Sequence, residues 1–322
     1  GGTNVIAIHA VDGGPPSFLD VEVTLGGLAG SGTSWLGRSS NWNDQNNWST
    51  GVVPSASDSV NIVAATFQPI LTGPTAIGAI AISGGSLTLN GQGLTVARTF
   101  ATTGTGTVTM ADGDALLVGG QASFAGGSEQ GLLSGGVLTV NGNFTQAGNP
   151  ASFQASGTHQ TVLTGAASTV RFAAPGGAAG SSHFQELAWI GDGVLTLGTD
   201  VVVLGGFTTS STAAARIARL GATPQRLTIG EFAHAAPLTF DGVPLVLQQP
   251  AAVAMDLDGL TFQNQPLTGT QLTVNHPGLA TGLSFSNLSF LTTPTTGFYL
   301  AATDLAPTDG QVLTINVTSA TP

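Results

Sequence analysis

The chain has 322 residues, 41% of them hydrophobic and only 7% charged, against roughly 25% charged in an average soluble domain. Its six basic residues are all Arg, its formal net charge is −11, and it contains no Cys. These values exclude a disulfide framework and a thiolate metal site, and they argue against nucleic acid or an anionic lipid surface as partner. No apolar run approaches the roughly 20 residues that a membrane-spanning helix needs, so no membrane insertion is expected. With so few charges, hydroxyls, amides and turn backbone must carry the contact with water. The chain opens Gly1-Gly2-Thr3 and reads as strand by Asn4, as expected of a processed product or a fragment of something longer.

Residues 1–30 read as a β-hairpin and a connector. Val5, Ile6 and Ile8 belong to a first strand, the run Asp12-Gly13-Gly14-Pro15-Pro16 to a turn, and Leu19, Val21, Val23 and Leu25 to one face of a second strand. A lone two-stranded hairpin is marginal in water, so these apolar residues are expected to pack on something else. The Gly/Ser-rich run from Gly26 to Gly32 reads as a flexible tether. The wording of residues 2–25 resembles the closing strands of jelly-roll, galactose-binding-like modules of large bacterial secreted proteins.

Residues 31–60 hold three of the four Trp residues, Trp35, Trp42 and Trp48, among many Asn. Gly51-Val52-Val53-Pro54 and Asp58-Ser59-Val60-Asn61-Ile62 follow. This segment resembles the stretch that opens β-solenoid regions of bacterial surface and autotransporter-like proteins. The first coil of a solenoid exposes an apolar end and an open strand edge, and bulky aromatics suit the task of covering both. The same three rings, flanked by Asn41, Asn43 and Asn47, are also candidates for stacking on a glycan.

Residues 61–322 read almost wholly as short strands. The tripeptide Leu-Thr-aliphatic recurs at Leu87, Leu94, Leu138, Leu195, Leu227, Leu272 and Leu313. Each copy alternates apolar, polar, apolar, the period of a strand with one buried face. Other expected strands include Ala79-Ile80-Ala81-Ile82, Leu116-Leu117-Val118 and Leu245-Val246-Leu247. The run from Phe153 to Phe207 resembles a phrase common in bacterial β-helix repeat proteins. Helical periodicity is nearly absent; Ser211 to Leu220 reads equally as a helical turn or as a strand from Ala215. The expected fold is all-β: a right-handed parallel β-helix with a Trp-rich cap and a preceding hairpin. Unequal corner loops would account for the irregular spacing of the tripeptide. At 20–25 residues per coil, residues 60–322 would make about 11–13 coils in a rod of roughly 50–65 Å. Tandem β-sandwiches are the alternative, disfavoured by the scarcity of Trp and Tyr after residue 50.

Candidate chemistry is sparse. Asp112 and Asp114, and likewise Asp256 and Asp258, have the i, i+2 spacing that puts two carboxylates on one face of a strand. Both pairs adjoin Gly, however, and read better as turn residues, with a weak Ca²⁺ site as the alternative. His9, His159, His183, His234 and His276 show no metal-ligand or catalytic spacing and read as hydrogen-bonding residues at turns and strand ends. Gly119-Gly120 and the Gly-rich run 176–180 lack the Lys and helix of a phosphate loop. No nucleophile elbow occurs.

The sequence therefore leads us to expect a non-enzymatic structural protein, extracellular or at a cell surface, with no cofactor and no metal. Stalk, adhesin and fibre subunit are the roles that fit. Self-association is expected through the strands of residues 1–27 against a neighbouring copy, giving a head-to-tail homopolymer. The competing expectation is a glycan-binding or polysaccharide-degrading β-helix, resting on Asp256, Asp258 and the Trp cluster.

Overall fold

A computed structural model describes residues 32–210, 215–234, 237–248, 255–257, 259–265, 272–275, 283–284, 289–291 and 300–303. The described residues form a parallel β-solenoid of about 9 turns. One ladder runs through 12 strands and a second through 11. A third, shorter face is made by Ser86–Thr88 pairing with Thr107–Thr109, and it continues as single bridges between Met110, Leu133 and Ala155 and between Phe184 and Val203. A coil visits the three faces in turn. Ala79–Ile82 lies in the first ladder, Ser86–Thr88 on the short face and Gly93–Val96 in the second ladder, before Phe100–Thr103 stacks on Ala79–Ile82. Every ladder pairing among the described residues is parallel, which rules out the sandwich alternative, whose sheets are antiparallel.

The alternating pattern is what places the core. In the copies beginning at Leu87, Leu94, Leu138, Leu195 and Leu227 the first and third residues are at most 1% exposed, while each Thr faces outward. The copies fall on different faces. Those at Leu94 and Leu138 sit in the 11-stranded ladder, both in register with Leu116, and Leu195 sits in the 12-stranded one. Leu87 lies on the short face. Their irregular spacing thus reflects three faces sampled unequally as well as unequal loops. In-register partners lie from 18 residues apart (Leu227 and Leu245) to 28 apart (Thr261 and Ser289). That spread brackets the expected 20–25 residues per coil, and part of residues 60–322 lies outside the described set, where no turns are counted.

Aromatic residues fill the interior after all, through Phe instead of Trp and Tyr. Phe124, Phe144, Phe153, Phe172 and Phe184 are at most 1% exposed. Their centroids lie 4.7 Å apart for Phe124–Phe153 and Phe144–Phe153, and 5.0 Å for Phe172–Phe184. Each such ring contributes about 1.5–3 kcal/mol from burial. Corners turn on glycine because backbones there come too close for a side chain. A Cβ on Gly106 would lie 1.9 Å from the Ile82 carbonyl oxygen, and one on Gly126, a coil later, 2.0 Å from that of Gly106.

Outside the core, amides and hydroxyls tie neighbouring coils together where a typical protein would use ion pairs. Ser83 donates to Asn61 at 3.0 Å, Thr164 to Asn141 at 3.2 Å, and the Thr169 backbone N–H to Asn143 at 2.9 Å. The ambiguous run near residue 215 is strand, Ala215–Arg219, with Ile217 fully buried opposite Phe240. The expected hairpin and its apolar residues, Val5, Ile6, Ile8, Leu19, Val21, Val23 and Leu25, lie outside the described residues.

Candidate functional site

The Trp segment packs as a cap. Trp35, Trp42 and Trp48 are each 1% exposed. Trp48 stands edge-on to both others, 4.9 Å from Trp35 and 4.7 Å from Trp42. The Trp35 indole N–H donates to the Phe67 carbonyl at 2.7 Å and that of Trp48 to the Trp42 carbonyl at 2.8 Å. A single antiparallel bridge joins Trp35 to Trp48. Asn47 is fully buried, and its amide accepts from the Ser39 N–H while donating to the Ser39 hydroxyl and the Asn41 carbonyl, all at 2.8 Å. Asp44 caps the one-turn 3₁₀ helix Gln45–Asn47. With the ring faces spent on one another, the cluster offers no platform for a sugar, and the packing role is the one its geometry supports.

The paired carboxylates do not converge. Gly113, at φ 89°, turns the chain between Asp112 and Asp114, so the two do not share a strand face. Asp112 is exposed and accepts from the Thr158 hydroxyl. Asp114 is buried and accepts from the Ala111 N–H at 2.8 Å and from the Gly91 and Gln92 N–H groups of the preceding coil. It is a turn-locking residue. Asp256 lies on the short strand Met255–Asp256, its side chain and the whole of Asp258 outside the described set. No group of three potential metal ligands occurs among the described residues. His9 and His276 fall outside them too. His159 is fully buried and donates from Nδ1 to the Gly135 carbonyl at 2.8 Å; burial holds its pKa below the usual range, against the opposing pull of that hydrogen bond.

The arrangement with most potential for recognition lies elsewhere. A cleft of about 320 Å³ opens beside the short face, lined by Gln130, Gln154, Ser156, His183, Gln185 and Leu204 among others. Its floor is the segment around Ala155, part of the coil-to-coil bridging on that face. One wall is an excursion of residues 174–182 that folds on itself, Ser182 N–H to Ala174 carbonyl at 2.9 Å and Gly176 N–H to Ser182 carbonyl at 3.0 Å. The opposite wall is the loop 126–131.

Both walls are held from beneath by buried polar groups. His183 faces the Gly176 carbonyl with Nδ1 at 2.8 Å and the Ala155 carbonyl with Nε2 at 3.0 Å, tying excursion to floor. The Ser182 hydroxyl donates to the Pro150 carbonyl at 2.7 Å. The buried Gln146 amide accepts from the N–H groups of Ala173 and Ala174, where the excursion begins, and donates to the Asn149 carbonyl. Beneath the other wall Glu129 is fully buried, its carboxyl accepting from the Val108 N–H at 3.0 Å and its own N–H donating to the Ala151 carbonyl at 2.8 Å. Burial pushes the Glu129 pKa up to about 9, outweighing the Val108 hydrogen bond. At the cleft's far margin, burial raises the pKa of Glu186; the hydrogen bond from Gly206 opposes this and repulsion from Glu231 adds to it. Of the 14 buried polar or charged residues among those described, 8 lie between Glu129 and His183.

Burial of Glu129 left no trace in the sequence, since an acidic residue between glycines reads as a solvated turn. The excursion did leave a trace. Gln160 and Glu186, in register on successive coils, are 26 residues apart, against 22 for Leu94 and Leu116. The Gly-rich run 176–180, dismissed as a phosphate loop, is the wall itself.

A family described as a domain of unknown function (DUF8693) matches residues 34–128, from the Trp cap to the loop before Glu129. No curated protein and no solved structure matches the chain.

Proposed function

We propose that this chain is a non-enzymatic structural protein of the cell exterior, a stalk, adhesin or fibre subunit of bacterial surface type. The observation that carries the reading is the stack itself: parallel coils in register, closed at one end by a dense Trp cap. A stack of this kind sets a distance and resists extension, because each coil is hydrogen-bonded to the next along the rod. The low charge and the inter-coil amide and hydroxyl links favour a surface that holds together at any ionic strength. Antibodies raised against residues 32–210 test the assignment. Immunogold labelling of intact producing cells, lost on external protease treatment, is the expected result. Labelling only after lysis would overturn it.

The partner we propose is a second copy, engaged through residues 1–27. Sedimentation velocity of the full chain and of a form lacking those residues decides this. Concentration-dependent growth that disappears on deletion supports a homopolymer; a destabilised monomer with unchanged association refutes it.

A further inference from the structure

We propose that the cleft between the loop 126–131 and the excursion 174–182 binds a neutral oligosaccharide. This site is separate from the structural role above and from the Trp cap and aspartates considered for glycan binding. Three features of the cleft point to that ligand class. First, the groups named at its lining are carboxamides, a hydroxyl, an imidazole and aliphatic carbon, with no carboxylate or guanidinium among the lining residues. Carboxamides donate and accept at once, which suits the paired hydroxyls of a sugar ring, whereas an anionic polymer would find no counter-charge and a chain of net charge −11. Second, the Gln154 side-chain oxygen is buried without a hydrogen-bond partner among the described residues. An unpaired buried acceptor is costly, and a ligand hydroxyl bonded to it would recover that cost. Third, Leu204, 39% exposed, and the exposed small residue Ala179 supply an apolar surface for the C–H face of a ring.

The cleft is also built in advance. The ties from His183, Ser182, Gln146 and Glu129 fix both walls before any ligand arrives, which lowers the ordering cost of binding. A peptide adding as a strand is the weaker reading. It needs an open sheet edge. Here the floor segment is already bridged on both sides, Ala155 to Leu133 and Gln154 to His183.

The test compares the full chain with Gln154→Leu and Ala179→Trp. Each is applied to an array of neutral gluco-, galacto- and manno-oligosaccharides, with polygalacturonate and a random peptide library alongside. Affinities of any binder are measured by calorimetry and melting temperatures by scanning calorimetry. We expect at least one neutral oligosaccharide to bind, about tenfold weaker to Gln154→Leu for one lost hydrogen bond and not at all to Ala179→Trp, whose new ring fills the cleft from an exposed position. If Gln154→Leu lowers the melting temperature, Ala179→Trp decides alone. No neutral binder, binding confined to polygalacturonate or peptides, or binding indifferent to Ala179→Trp would overturn the proposal.

Discussion

Glu129 shows how much a single buried group sets the conditions under which this protein is stable. Its pKa is raised to about 9 in the fold and returns to about 4.5 on unfolding. Between those values the folded state holds a proton that the unfolded state releases, so stability falls as pH rises through this window. His159 acts in the opposite sense: its lowered pKa costs stability as pH falls below its ordinary value of about 6.5. Above pH 7 only Glu129 contributes of the two. Glu129→Gln, uncharged and able to keep an acceptor toward Val108, should melt at nearly the same temperature at pH 7 and pH 9, while the parent loses several degrees. Equal slopes for both proteins would contradict the burial argument. The Trp cap makes a second prediction at this scale. Trp48 packs edge-on to two rings and donates to the Trp42 carbonyl, so Trp48→Ala should destabilise the protein by about 3–5 kcal/mol in urea titration. Of these residues, the Trp cluster was legible because three large aromatics in 14 positions have few uses. Glu129 was not, because burial of a loop residue depends on which coil lies above it.

At the scale of the element, alternation did the specifying. Leu138-Thr139-Val140 announces a strand and its buried face without further information, and the register then follows from stacking like on like. The face to which each strand belongs was hidden, since three faces use the same alphabet. Corner glycines were countable but not interpretable, and the structure separates those with a steric duty from those without. Gly106 approaches the Ile82 carbonyl so closely that Gly106→Ala should cost about 1–3 kcal/mol through backbone shifts, whereas Gly93, with open space around its Cβ position and no special backbone angle, should accept Ala without loss. Thermal denaturation of the two variants side by side checks this; equal melting points would mean the corners are looser than described. The excursion 174–182 is the element the pattern concealed most fully, because it interrupts the rhythm with Gly, Ala and Ser and carries no periodic signal of its own.

The molecule as a whole is a stack whose third dimension comes from repetition along one axis. That claim underlies every other: the cap is a cap only if coils follow it, and the cleft exists only where one coil departs from its neighbours. The absence of Cys gives a clean background for placing probes. Thr95 and Thr139 both face outward and both align with Leu117 of the coil between them. Two coils separate them, a distance of about 10 Å, although they stand 44 positions apart in the sequence. The most direct test is therefore the electron paramagnetic resonance spectrum of the Thr95→Cys, Thr139→Cys double variant carrying nitroxide labels. Strong dipolar broadening relative to the sum of the two singly labelled spectra is the result the stack predicts. A double-label spectrum identical to that sum would contradict it.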